Sequence, residues 1–236
     1  MDNKNWLNYW DKKNIWLESD LLKRNTEIFY QKTSDIFNYN EKHVVLEIGC
    51  GNGDLANKIS NKVREIYCLD TSQESINLCK NKISKKKNVK ILKLNNNYTN
   101  LSFLENRKFS IIIANSVVEY YRSQVEIIDL VKSVKKIAMK DARFLISDIV
   151  VTSDKIKKYP KLIYNSISNG YFVALMKVSL KLIVDKKYSN FQKNQPSLIV
   201  NIDKLIEDLS VFVKNITIVN EILTVNPDRK HLLVQF

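Results

Sequence analysis

The stretch Leu46-Glu47-Ile48-Gly49-Cys50-Gly51-Asn52-Gly53-Asp54 holds three of the four glycines in this chain of 236 residues. It begins in an apolar run that predicts a buried β-strand. Glycines after a strand permit positive φ angles and let a ligand approach bare backbone, and the following helix presents its amino terminus to that ligand. The stretch therefore predicts a strand, a tight turn and a helix that together bind a nucleotide-like molecule.

A second apolar run, Ile66-Tyr67-Cys68-Leu69-Asp70, predicts another strand, and this one ends in a carboxylate. In α/β folds that bind nucleotides, an acid at this place accepts hydrogen bonds from ribose hydroxyls. A glycine-rich turn also occurs where a strand simply leads into a helix, so the turn needs this second feature. Asp70 and the glycine turn together indicate a nucleotide-binding site.

The spacing of the glycines is G-x-G-x-G with Glu47 two positions before the first, rather than the G-x-G-x-x-G of nicotinamide-binding helices. Over residues 44–150 the sequence resembles the class I S-adenosylmethionine-dependent methyltransferases. The resemblance implies an α/β fold, with a Rossmann-like, mostly parallel seven-stranded sheet, helices on both faces, a closing antiparallel hairpin and a helical lid insertion. It implies S-adenosylmethionine as cofactor and S-adenosylhomocysteine as product.

The resemblance also implies which residues hold the cofactor. Glu47 and the glycine backbone would bind the methionine portion, and Asp70 the ribose. Asn95 or Asn96 would meet the adenine amino group in place of the family's aspartate, since an asparagine carbonyl still accepts a hydrogen bond. The full expected set is Tyr9, Trp10, Glu47, Gly49, Cys50, Gly51, Gly53, Asp70, Thr71, Asn95, Asn96 and Asn115.

Besides Asn95, two places depart from the family pattern. Ser110 replaces a common aspartate, and Lys140-Asp141-Ala142 stands where a Pro-Gly-Gly turn is usual. A protein that retains the cofactor pocket without catalysis therefore remains an alternative to an enzyme.

The rest of the chain predicts a single domain of alternating strands and helices, which implies a parallel sheet. Residues 1–42 are expected to form an amino-terminal helical lid, 43–150 the cofactor-binding core, 151–197 a helical insertion over the substrate, and 198–236 a closing helix and hairpin. Further strands are predicted at 89–94, 109–114, 143–149, 216–225 and 230–236, and helices at 70–83, 125–139 and 202–213.

Within the insertion, residues 163–184 predict one long helix that is rich in apolar and aromatic side chains. An insertion at the carboxyl edge of a parallel sheet lies over the ligand crevice. We expect the substrate wall to include Tyr164, Tyr171, Phe172 and Met176. The alternative is that these residues only pack the helix onto the domain or onto a second copy, as in a homodimer.

All three tryptophans, Trp6, Trp10 and Trp16, precede the first strand, which predicts a lid or anchor. In many members of the family a helix here closes over the cofactor with an aromatic ring near the sulfonium, whose charge favours a π face. Tyr9 and Trp10 are the candidates, with packing as the other interpretation.

Methyl transfer needs an acceptor atom positioned in line and shielded from water, so a catalytic base is optional. If the acceptor is a hydroxyl, a side chain must take its proton. The candidates after the fourth and fifth strands are Glu119, Tyr120 and Asp148, whose alternative roles are hydrogen bonding and helix capping.

Cys50, Cys68 and Cys79 lack a metal-type spacing and predict reduced thiols in a cytoplasmic protein. With only two histidines in the chain, we expect no metal site. The amino-terminal segment does not read as a secretory signal, and the apolar runs are too short to span a bilayer.

The formal net charge of +13 makes an RNA methyltransferase the alternative activity. Asn115 is not followed by Pro-Pro, however, which argues against methylation of base nitrogens. A lysine group, Lys155, Lys157, Lys158 and Lys161, could border the substrate entrance and suit an acidic substrate. The apolar and partly basic character of the helix over residues 163–184 also permits contact with a membrane surface, as for a lipid-linked substrate. The favoured hypothesis is methyl transfer to a small molecule, such as a sugar, lipid or secondary metabolite, while the acceptor atom stays open.

Overall fold

The computed structural model describes residues 5–12, 16–95, 97–152 and 155–236. Its strands form one seven-stranded sheet. They are β1 Val44–Ile48, β2 Glu65–Asp70, β3 Val89–Lys93, β4 Phe109–Asn115, β5 Ala138–Ile149, β6 Asn215–Ile218 and β7 Lys230–Gln235.

The strand order across the sheet is β3-β2-β1-β4-β5-β7-β6. Strands β1 to β5 pair in parallel, whereas β7 pairs antiparallel with both β5 and β6. The order reverses between β1 and β4, and ligands of such sheets bind outside the carboxyl ends of the strands at this switch point. The glycine turn follows β1 directly, so it lies at that crevice. The predicted Rossmann-like fold is confirmed.

Helices cover both faces of the sheet. Those in the described residues are α1 Asn5–Trp10, α2 Asp20–Phe37, α3 Asp54–Ile59, α4 Gln73–Ile83, α5 Gln124–Ile137, α6 Lys155–Ser168, α7 Phe172–Val184, α8 Lys186–Asn194 and α9 Ile202–Ser210. Two short 3₁₀ turns, Ser102–Leu104 and Val118–Tyr120, lie in the connections around β4.

The two faces of the sheet each bury one core, because successive side chains of a strand point to opposite faces. On one face, Leu46 and Ile112 pack with the apolar sides of α5 and α9. On the other, Val45 and Ile113 pack with α2, α3 and α4, and Phe29 of α2 is fully buried there. The part of the amino-terminal segment that forms α2 is thus a layer of the core.

Gly170 divides the helix that the sequence predicts over residues 163–184. Its φ of 71° is a left-handed conformation that favours glycine. The Tyr171 N–H donates to Ser166 O at 2.9 Å, and the Gly170 N–H donates to Ile167 O at 3.2 Å. This pair of bonds is the Schellman arrangement that ends a helix. The segment is therefore the two-helix hairpin of α6 and α7.

The closing hairpin is shorter than the predicted strand over residues 216–225. The chain leaves the sheet after the Val219 N–H donates to His231 O. The Val225 N–H then donates to Asn25 Oδ1 at 2.7 Å, and Val225 O accepts from the Tyr171 hydroxyl at 2.8 Å. These partners hold residues 219–225 against α2 and the α6–α7 turn, where they border the crevice.

Candidate active site

The glycine turn after β1 has positive φ at Gly49, Gly51 and Gly53, with values of 77°, 52° and 79°. A Cβ at Gly49 would collide with Val117 Cγ2, and one at Gly53 would lie 2.8 Å from Cys79 Sγ. A Cβ at Gly51 would meet no atom of the described residues within 4 Å. At Gly49 and Gly53, both the positive φ and the close packing of neighbouring atoms require glycine, whereas the Gly51 backbone faces open space.

Asp70 ends β2 beside this turn, and backbone donors fix both of its oxygens. The Gly51 N–H donates to Oδ2 at 2.9 Å, and the Ser72 N–H donates to Oδ1 at 2.8 Å. Burial raises the pKa of Asp70 to about 6, although the bonds from Ser72 and Gly51 favour the charged form. The carboxylate is thus oriented, and it is ionised at neutral pH.

Among the buried polar atoms of the crevice that lack a hydrogen-bond partner, two lie on predicted cofactor residues at the ends of β1 and β4. Neither Glu47 Oε2 nor Asn115 Oδ1 has a hydrogen-bond partner among the described residues. Burial, aided by the charges of Cys79 and Asp70, raises the pKa of Glu47 well above its usual value. Buried polar groups are rarely left unsatisfied, because each costs about 1–3 kcal/mol. These atoms mark places where a polar ligand would bind.

The crevice is a cavity of about 1170 Å³. It extends from the glycine turn to the carboxyl ends of β4 and β5, and helices α1, α2, α6 and α7 contribute to its walls. Cavities for one small ligand usually measure about 300–1,000 Å³, so this one is large enough for a cofactor beside an acceptor.

Most of the predicted cofactor residues come together in this cavity. Those that line it are Trp10, Glu47, Gly49, Cys50, Gly51, Asp70, Thr71 and Asn115. Gly53 lies behind the turn as the N-cap of α3, and Tyr9 stacks on Phe191 with ring centroids 4.7 Å apart. Asn95 is exposed and does not line the cavity, and Asn96 lies outside the described residues.

Aromatic rings from α1 close one side of the cavity. The ring of Tyr120 stacks on Trp6 at 6.2 Å and meets the edge of Trp10 at 5.8 Å. The Ser72 hydroxyl donates to Trp10 O at 2.8 Å, which ties α1 to the start of α4. Burial raises the pKa of Tyr120 well above its usual value, so at neutral pH this residue is a neutral aromatic wall.

The end of the cavity formed by β4 and β5 contains two acids and an arginine. Arg229 Nη2 lies 3.2 Å from Glu119 Oε2, and Arg229 Nε lies 3.4 Å from Asp148 Oδ1. Burial raises the pKa of Glu119, Arg229 opposes this shift, and Asp148 adds to it. All three side chains line the cavity and are largely buried. With all three ionised, the cluster carries a net negative charge.

Arg229 was not among the residues predicted for the site, although its position in the sequence indicates it. It follows the turn Asn226-Pro227-Asp228 and directly precedes β7. Since β7 pairs antiparallel with β5, its first residues must lie beside the last residues of β5. An arginine at that point is therefore brought to the candidate Asp148.

His231 supports this corner from beneath the cavity. The Asp148 N–H donates to His231 Nδ1 at 3.2 Å, and Ser147 Oγ lies 2.7 Å from the same nitrogen. Nδ1 is consequently the acceptor of a neutral imidazole. Burial lowers the pKa of His231 to about 4, with Asp148 acting in the opposite direction.

The four predicted substrate-wall residues do not line the cavity. Tyr164, Phe172 and Met176 are exposed on the outer side of α6 and α7, and Tyr171 is buried in the turn beside Val225. Both helices are apolar on two sides, so the sequence pattern did not distinguish the inner side. The residues of these helices that line the cavity are Tyr159, Leu162, Leu175, Ser179, Leu182 and Ile183.

No group of three or more histidine, cysteine or acidic side chains in the described parts of the chain is arranged to hold a metal ion. The three cysteines are buried and free. Over residues 5–12, 16–95, 97–152 and 155–236, none of the helices combines the length and apolar character needed to traverse a bilayer.

A sequence profile described as a methyltransferase domain matches residues 40–195, which is more than half of the chain. The chain belongs to the S-adenosylmethionine-dependent methyltransferases. The predicted enzyme class and the predicted cofactor are confirmed. No match was found among curated protein sequences.

Solved structures share the fold at low identity. The N-methyltransferase NodS from Bradyrhizobium japonicum WM9, in complex with S-adenosylhomocysteine, has a TM-score of 0.59 at 10% identity and covers 100% of this chain and 98% of its own. Magnesium protoporphyrin IX methyltransferase from Synechocystis PCC 6803, with bound S-adenosylhomocysteine, has a TM-score of 0.54 at 14% identity, covering 98% and 93%.

Phosphoethanolamine N-methyltransferase 1 from Haemonchus contortus has a TM-score of 0.54 at 13% identity. That match covers 64% of this chain, and this chain spans only 32% of that protein. At these identities the likeness shows the fold alone.

Proposed function

We propose that this methyltransferase transfers a methyl group to a small-molecule acceptor by direct in-line displacement. The observation that carries the proposal is one cavity with the glycine turn at one end and a walled acceptor side at the other. When bound, S-adenosylmethionine supplies an activated methyl group, and S-adenosylhomocysteine is the product. The α1 rings and the α6–α7 hairpin form walls of the space between, and shielding of that space from water would favour transfer to a positioned acceptor.

At the cofactor end, the proposed contacts of Glu47, Asp70 and Gly51 follow from their position in the cavity wall. Glu47 Oε2 would accept from the ammonium of the methionine portion, whose positive charge would stabilise the ionised carboxylate. The Asp70 oxygens would accept from the ribose hydroxyls, and the open Gly51 backbone would allow close approach. Of the two asparagines predicted to meet adenine, Asn95 does not line the cavity, so Asn96 remains the proposed contact.

At the acceptor end, we assign proton removal to Glu119 where the acceptor must lose a proton. Arg229 and the Ser197 hydroxyl hold Glu119 Oε2, at 3.2 and 3.3 Å. Because burial raises the pKa of Glu119, this carboxylate is a better proton acceptor at neutral pH than an exposed one. Asp148 would orient Arg229 and stabilise the positive charge that develops beside the cluster.

The test is to incubate the purified protein with methyl-labelled S-adenosylmethionine and a cell extract, and then to separate small molecules, lipids, proteins and RNA. Label in small molecules or lipids supports the proposal, and mass spectrometry of the product identifies the methylated atom. Label confined to RNA or protein overturns it. Glu119→Gln serves as the matched variant, since it keeps the shape of the side chain and is expected to lower kcat without weakening S-adenosylhomocysteine binding.

A further inference from the structure

The α6–α7 hairpin holds the largest concentration of exposed apolar side chains in the described residues, and most of them lie on its outer side, away from the cavity. Ten of the fifteen large apolar side chains that are exposed lie between residues 159 and 184. The exposed face of the hairpin formed by Ile163, Ile167, Leu180 and Val184 is called the outer surface. Leu180 is 58% exposed and Val184 is 80% exposed.

The outer surface is separate from the side of α7 that packs on the protein core. Leu175, Val178 and Leu182 face inward and pack with Leu21 and Trp16. A helix that is apolar on two opposite sides is typical of a helix buried on both, so the outer side needs a further partner. Contiguous apolar patches of this kind mark interaction sites.

The charge of the hairpin indicates the chemistry of that partner. Residues 155–184 contain six lysines and no acidic residue. Lys177 and Lys181 are exposed on α7, beside the apolar residues of the outer surface. Two copies joined through this surface would bring like charges together in a symmetric contact, whereas anionic lipid headgroups would pair with them. Helices with an apolar side flanked by lysines lie in the interface of a bilayer.

We propose that the α6–α7 hairpin docks on an anionic lipid surface, with the outer surface in the acyl boundary and the lysines at the headgroups. Docking itself is independent of the acceptor. One consequence rests on the proposed function: Ile183 is 79% exposed and also lines the cavity, so the cavity opens beside the docked surface. A lipid-linked acceptor would then reach Glu119 directly from the bilayer.

The experiment is flotation of the purified protein with vesicles of phosphatidylcholine alone and of phosphatidylcholine with phosphatidylglycerol. We expect binding to the anionic vesicles that decreases with salt. Leu180→Gln combined with Val184→Gln is expected to lower the partition coefficient by more than about tenfold. Lys177→Gln combined with Lys181→Gln is expected to lower it by at least about tenfold on the anionic vesicles.

Val211→Gln is the matched control, because Val211 is 85% exposed and lies outside the hairpin. Unchanged binding is expected for this variant. The melting temperature and the affinity for S-adenosylhomocysteine confirm that each variant is folded. A second measurement leaves the surface intact: a fluorophore on Met176→Cys should shift to shorter wavelength on anionic vesicles, and one on Val211→Cys should not.

Failure of the wild type to bind anionic vesicles overturns the proposal, as does binding that both hairpin variants retain. Sedimentation that shows a dimer dissociated by Leu180→Gln and Val184→Gln, without vesicle binding, would assign the surface to a second copy instead. None of these measurements requires methyl transfer, so their failure is distinct from failure of the proposed activity.

Discussion

Ser116 and Asp148 join the ends of β4 and β5, where Ser116 Oγ donates to Asp148 Oδ2 at 2.7 Å. Both residues have positive φ, 56° for Ser116 and 64° for Asp148. Positive φ is uncommon outside glycine and costs of order 1–3 kcal/mol per residue, and such strain gathers at functional sites. The bond between them fixes the Asp148 carboxylate in the wall of the cavity.

Ser116→Ala is expected to lower kcat, because Asp148 would lose its shortest hydrogen bond and turn away from Arg229. The expected loss of folding free energy is about 1 kcal/mol. Ser110→Ala is the matched control: Ser110 bonds to the Val44 backbone from the opposite end of β4, outside the cavity. It should lose similar stability at unchanged kcat. An equal kcat for both variants would contradict a role of Ser116 in catalysis.

We expect Asp70 to make cofactor binding dependent on pH. Its pKa is raised to about 6, so as the pH falls through 6 the carboxyl takes up a proton and loses acceptor capacity. Calorimetry should show the affinity for S-adenosylhomocysteine decreasing below pH 6. Asp70→Ala should weaken binding at pH 7.5 by about 1.5–3 kcal/mol and abolish this part of the pH dependence. An affinity unchanged in the variant would overturn the assignment of Asp70 to the ribose.

Gly51→Ala is expected to weaken binding of S-adenosylhomocysteine by at least about tenfold, since ~1.4 kcal/mol corresponds to that factor. The new Cβ would enter the open space at the turn. Gly170→Ala is a control for backbone strain, because Gly170 also has positive φ with no described atom near such a Cβ. Both variants should lose about 1–2 kcal/mol of stability, and only Gly51→Ala should lose affinity. Equal affinities would show that no ligand approaches Gly51.

Arg229→Met should destabilise the protein by about 3–5 kcal/mol, which is typical when one partner of a buried ion pair is removed. Glu119 and Asp148 would remain as neighbouring buried acids without their guanidinium. Arg229→Lys retains a positive charge and should lose less. Thermal and urea denaturation measure the difference. A melting temperature of Arg229→Met equal to that of the wild type would contradict the pairing.

His231 makes stability decrease in mild acid. Its pKa is about 4 in the folded protein against 6.5 when unfolded, so between these values the unfolded chain binds the proton and the native state does not. Stability from this residue is complete above pH 6.5 and is lost progressively as the pH falls to 4, by up to about 3 kcal/mol.

His231→Asn, which retains an acceptor for Ser147 and Asp148, should flatten the pH dependence in this window. Asp70 acts with the opposite sign there, because its raised pKa makes the native state take up the proton first. The informative quantity is therefore the difference between the wild type and His231→Asn at each pH. A difference that stays constant from pH 4 to 6.5 would contradict a neutral, buried His231.

The local parts of the site could be predicted from the sequence. The turn of Gly49, Gly51 and Gly53 directly follows a buried strand, and Glu47 lies within that strand, so short-range geometry fixes their relation. Asp70 ends the neighbouring parallel strand, and parallel strands end at the same edge of a sheet. For these residues, chain connectivity and strand pairing leave little freedom.

The wall of the cavity could not be predicted in the same way. Tyr164, Phe172 and Met176 were expected there, yet Leu175, Leu182 and their neighbours line it instead. Helical periodicity identifies sides of a helix, but it does not select between two sides that are both apolar. The choice depends on which side meets Leu21 and Trp16, and that contact is decided by packing.

The sequence by itself determined the strand-turn-helix that begins at β1, the acid that ends β2, and the methyltransferase family to which they point. These are properties of short segments whose backbone conformation depends on glycine and on apolar alternation. The tertiary structure decided which distant groups meet: Arg229 with Glu119 and Asp148, His231 beside Asp148, and Trp6 with Tyr120. Such contacts join residues far apart in the chain, and only the packed sheet and its helices bring them within bonding distance.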